Sequence, residues 1–78
     1  MLTGNYPVKL EFSDDSFALA NAELLPAGKV VINIGTVPTE KNFKLVLVSD
    51  SDELHEFRCL IDSVDGDKLR GRLSAFDN

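Results

Sequence analysis

Apolar and polar residues alternate with a period of two along most of the chain, and the three- and four-residue spacing of an amphipathic helix is sustained nowhere. The pattern predicts a protein built from strands. In PVKLEF, Val8, Leu10 and Phe12 share one face while Lys9 and Glu11 take the other. SDDS follows, a cluster whose side chains bond nearby backbone and so predicts a turn. SFALANAEL sets Phe17, Leu19 and Asn21 on one face against Ala18, Ala20, Ala22 and Leu24 on the other. Its alanines make it the most helix-tolerant stretch, but the alternation reads as strand. KVVINI supplies β-branched Val30, Ile32 and Ile34 at alternate positions.

Gly35 and Pro38 interrupt the pattern, which predicts a loop over GTVPTEKN. FKLVLVS then turns Phe43, Leu45 and Leu47 inward, with Val46 and Val48 suggesting partial cover on the outer face. In LHEFRCLIDSV, His55, Phe57, Cys59 and Ile61 share a face opposite Glu56, Arg58, Leu60 and Asp62. Asp65 and Gly66 form the strongest turn signal, because both residue types accept the backbone of a two-residue hairpin. DKLRGRLSAF completes that hairpin, with Leu69, Gly71, Leu73 and Ala75 inward and Lys68, Arg70, Arg72 and Ser74 outward. Short strands joined by turns and one longer loop predict an all-β fold, a small six-stranded antiparallel β-barrel, closed or nearly so. Closure is also expected to hide the sheet edges.

The chain's 78 residues suffice for one domain over residues 1–78, near the lower size at which a single core offsets the entropy of ordering the chain. Its composition, 44% hydrophobic and 27% charged, suits a soluble globular protein. No membrane span or apolar signal core is visible, so the expectation is a cytoplasmic protein without a membrane partner. A net charge of −5 repels phosphates over the molecule as a whole and disfavours nucleic-acid binding. The acids gather at Asp14 and Asp15, at Asp50, Asp52 and Glu53, and at Asp62, Asp65 and Asp67, all in expected turns.

Chemistry finds few footholds. The lone Cys59 has no disulfide partner and sits in the apolar alternation, as a buried thiol does. His55 lies four residues from it, on the same face but about 13 Å along the strand, too far for a dyad. No nucleophile motif, Cys or His pair, or calcium loop is present, so neither an enzyme nor a metal or cofactor site is expected. Lys68, Arg70 and Arg72 are the one local concentration of positive charge. They suit an anion or an acidic partner, or cross-strand pairs with Glu56, Asp62 or Glu11.

ELLPAG, residues Glu23 to Gly28, runs directly into KVVINI. An opening strand, a second ending in an acid-x-x-x-x-Gly turn, an immediate β-branched strand, a Gly/Pro loop and three further strands form an order that resembles the PilZ family. Members of that bacterial family are six-stranded barrels, many of which bind cyclic di-GMP. In the family an Arg-x-x-x-Arg pair precedes the first strand, and an Asp/Asn-x-Ser-x-x-Gly turn joins the second to the third. Here Gly28 matches the closing glycine and Glu23 stands in place of the acid or amide. Leu25 replaces the serine, and MLTGNYP holds no arginine. With no cation expected at the tail or beside Gly28, a dianionic dinucleotide lacks the guanidinium forks it needs.

The resemblance therefore implies a PilZ-like domain that does not bind cyclic di-GMP and serves as a protein-interaction or regulatory adaptor. Leu25, Val37, Val46 and Val48 are the candidates for a docking patch, provided they are contiguous. Two other functions fit the sequence: an acidic inhibitor of phage type that imitates nucleic-acid charge, and a structural subunit of a phage or secretion assembly that pairs through a free strand edge.

Overall fold

A computed structural model of the chain describes residues 2–75. Six strands form the barrel: β1 (Gly4–Glu11), β2 (Phe17–Leu24), β3 (Lys29–Asn33), β4 (Asn42–Val48), β5 (Leu54–Asp65) and β6 (Lys68–Ala75). Their order around the closed barrel is β1-β2-β3-β6-β5-β4, every neighbouring pair being antiparallel. The all-β class and six-stranded barrel expected from the alternation are therefore the observed architecture. Phe76, at the end of the predicted last strand, lies outside the described residues.

Every strand contributes to one core, because each presents alternate apolar residues to the same interior. Leu10, Ile32 and Leu45 are fully buried, with Val8, Val30, Phe43, Leu47, Cys59 and Leu69 packed around them. The β2–β3 and β4–β5 turns lie at one mouth, here called the upper. The β1–β2 and β5–β6 turns lie at the lower mouth, where the 34–41 loop also crosses from β3 to β4. That loop is pinned at three places. Ile34 N–H donates to Asp67 C=O at 3.1 Å, Ile61 N–H to Lys41 C=O at 2.7 Å, and Ser13 Oγ to Glu40 Oε1 at 2.8 Å. Val37 packs against the core from this loop, and Phe12 meets Phe43 edge-on at 5.5 Å.

Three local features differ from the sequence reading. The two residues of the β5–β6 turn are Gly66 and Asp67, since Asp65 pairs with Lys68. Of these only Gly66 takes a positive φ, 63°, as the first central position of a type II′ turn requires. Within β5, Ile61 faces Gly71 and Ser63 faces Arg70, leaving Asp62 as the extra residue of a β-bulge. Gly71 sits where the strands close up at this bulge: an added Cβ would lie 2.3 Å from the Leu60 carbonyl oxygen. Finally, closure does not pair every edge, for β2 meets β3 only from Asn21 to Leu24 and its first half is in no strand ladder on that side.

Candidate functional site

The β2–β3 connection explains much of ELLPAG. Leu25 N–H donates to Lys29 C=O at 2.8 Å, and Ala27 and Gly28 both adopt left-handed backbone with φ of 64° and 74°. Gly28 is needed twice over. Its φ favours glycine, and a Cβ there would come within 3.0 Å of the Leu73 carbonyl oxygen on β6. The closing glycine of the motif thus has a complete structural explanation as a tight turn against the neighbouring strand.

Two depressions flank this turn and share Leu25 and Lys29. The larger, about 740 Å³, opens at the upper mouth. Tyr6, Leu24, Leu25, Phe57 and Leu73 give it an apolar lining, and Lys29, Asp50, Glu53 and His55 supply polar groups. Behind it the β4–β5 turn holds itself in shape. Ser49 N–H donates to Glu53 C=O at 2.9 Å, Ser51 Oγ donates to Glu53 Oε1 at 3.2 Å, and Ser49 Oγ lies 3.0 Å from Ser51 Oγ. His55 and Phe57 stack with ring centroids 6.3 Å apart.

The smaller depression, about 270 Å³, lies on the outer wall between β3 and β6. The register sets Lys29 opposite Arg72 and Val31 opposite Arg70, so three cations converge beside Leu25. This corrects the expectation that no positive charge stands near Gly28: Lys29 follows it directly, and β6 brings in Arg72. Arg72 is held by the bulge residue, its Nε and Nη2 donating to Asp62 Oδ2 and Oδ1 at 3.2 Å each. Among the described residues Arg70 and Lys29 make no ion pair. Lys68, the third member of the β6 triplet, points to the same side but faces Asp65 and Asn33 near the lower mouth.

The proposed patch of Leu25, Val37, Val46 and Val48 is not contiguous. Leu25 is at the upper mouth and Val37 packs on the core at the lower, while Val46 and Val48 occupy the outer face of β4. The larger exposed apolar residues were not singled out in the sequence: Phe17 is 63% exposed, Leu19 73% and Leu54 63%. Asn21 and Glu23, on the same face of β2 as Phe17 and Leu19, are the signal that this face turns to water. Between these residues runs an ion network, with Lys9 Nζ 2.8 Å from Glu11 and Lys44 Nζ 3.0 Å from Glu56 and 3.6 Å from Glu11. The hydrogen bond from Lys9 lowers the Glu11 pKa, and the bond to Glu56 raises that of Lys44.

The acid clusters are divided between the two ends: Asp14, Asp15 and Asp67 at the lower mouth, Asp50, Asp52 and Glu53 at the upper. His55 lines the upper cleft, whereas Cys59 is fully buried. The chain matches no protein-family model, no curated protein and no solved structure.

Proposed function

We propose that the barrel is a protein-interaction module of PilZ-like type that takes a peptide segment carrying an apolar side chain followed by carboxylates. The observation that carries this reading is the shared boundary of the two depressions. An apolar residue seated against Leu24, Leu25 and Phe57 places the following residues over Lys29, and from there over Arg70 and Arg72. The apolar cleft supplies buried area, and the cations supply direction and register. Asp62 already occupies one guanidinium, so the surface suits one or two carboxylates better than a dinucleotide with two phosphates. The cleft also carries Asp50 and Glu53, which repel phosphate from the apolar side.

The test is a titration followed by NMR, using short peptides of the form Leu-Asp-Asp or Phe-Glu-Asp, scrambled and amidated controls, and cyclic di-GMP. Expected are shifts at Leu25, Lys29, Arg70 and Arg72 with the acidic peptides. Added salt should weaken them, and Arg70→Glu should abolish them. Equal response to amidated peptides, or saturable cyclic di-GMP binding at micromolar concentration, would sink the reading.

A further inference from the structure

The two turns at the upper mouth stand on opposite sides of it. Going round the barrel, β2 and β3 are followed by β6, then by β5 and β4, and β1 closes the ring. The β2–β3 and β4–β5 turns are therefore separated by β6 in one direction and by β1 in the other. Between them lies the floor of the larger cleft. Tyr6 on β1 and Leu73 on β6 line it, together with Leu24 and Phe57 from strands that carry the turns.

These two sides of the cleft differ in charge. Lys29 follows the β2–β3 turn directly, and Arg70 and Arg72 continue the positive side down the outer wall. The β4–β5 turn brings Asp50 and Glu53 to the cleft and leaves Asp52 out of its lining. Asp52 sits in left-handed backbone, φ 63°, and its N–H donates to Ser49 C=O at 2.9 Å. Glu53 is held at both ends: its N–H donates to Ser49 Oγ at 3.3 Å, and its Oε1 accepts from Ser51 Oγ. Among the described residues neither Asp50 nor Glu53 makes an ion pair.

An apolar side chain seated on this floor takes water from both walls at once. Lys29 then has the carboxylates of the incoming segment to face. Asp50 and Glu53 have no such compensation, and a carboxylate that loses water without gaining a cation weakens binding. A segment that is acidic on both sides of its apolar residue adds like-charge repulsion to that loss.

We propose that the segment taken by the upper mouth is of mixed charge, with a lysine or arginine before its apolar anchor and carboxylates after it. The inference rests on the peptide reading above and adds the basic residue to it. Asp50 and Glu53 receive that cation on the β4–β5 side, the anchor fills the floor, and the carboxylates reach Lys29 and the outer wall. The order of charges across the mouth then sets which way round the segment lies. It also sets which segments are refused, since the acidic wall turns away those with an acid before the anchor.

Three acetylated peptides, Lys-Leu-Asp-Asp, Ala-Leu-Asp-Asp and Glu-Leu-Asp-Asp, titrated by NMR against the 78-residue chain, decide the matter. Acetylation removes the terminal amine as a competing cation. The lysine peptide is expected to bind about three- to fivefold more tightly than the alanine peptide, as a partly exposed ion pair allows, and the glutamate peptide more weakly than either. In the double variant Asp50→Asn, Glu53→Gln the preference for lysine should vanish. Glutamine keeps an oxygen for Ser51 Oγ, so the turn is retained. Asp52→Asn removes a charge from the same turn outside the cleft, and asparagine suits left-handed backbone, so there the preference should survive. Equal affinity for the lysine and alanine peptides overturns the proposal and leaves the peptide reading standing. So does a preference that persists in the double variant or disappears in Asp52→Asn. Failure of all three peptides to bind overturns both.

Discussion

Cys59 shows how much one buried atom settles. Its side chain is fully buried, and desolvation, with a smaller contribution from the Asp62 carboxylate, pushes its thiol up to about 12 from an ordinary 9.0. Below pH 9 both folded and unfolded chains keep the proton. Between pH 9 and about 12 the unfolded chain releases it and the folded chain does not, so unfolding becomes progressively easier as pH rises. Urea midpoints measured across that interval should fall more steeply for the native chain than for Cys59→Ala. The native thiol should also resist alkylation until the chain unfolds. A pH slope identical in the two proteins would show that the thiol titrates freely.

At the scale of the element, the β2–β3 turn places Ala27 in left-handed backbone, with φ 64° and ψ 26°. A residue with a Cβ pays roughly 1 kcal/mol there, more than the added chain entropy of glycine costs. Ala27→Gly is therefore expected to stabilise the domain by about 0.5 kcal/mol, read as a higher urea midpoint at unchanged m. A lower midpoint would mean that the Ala27 methyl makes contacts that outweigh its backbone strain.

The strands themselves were legible because their inward residues, such as Val8 and Leu10, Val30 and Ile32, or Phe43 to Leu47, repeat with period two. β2 was harder to orient, since both of its faces are apolar over Phe17 to Ala20. The bulge at Asp62 was not legible, because nothing in IDSVDG marks which residue is extra. Nor was the pairing of β3 with β6, which is separated by more than thirty positions and alone brings Lys29 beside Arg72. The cationic depression was hidden for that reason, while two of its cations, Arg70 and Arg72, were already visible in the alternating charge of β6.

For the whole molecule, one core fed by all six strands should melt as one unit. Scanning calorimetry of the 78-residue chain is expected to give a single transition with an enthalpy of about 55 kcal/mol near 60 °C, equal to its van't Hoff value. Two transitions, or a calorimetric enthalpy well above the van't Hoff one, would divide the barrel into independent parts.

The strand order carries a consequence for biosynthesis. β6, the last of the six strands in chain order, fits between β3 and β5. Until it leaves the ribosome, the nascent chain can assemble only an open sheet with Ile32 and Ile61 at an unsealed seam. Closure of the barrel must then wait for β6 to emerge, and a translational stall before Lys68 would leave a sticky intermediate for chaperones to hold.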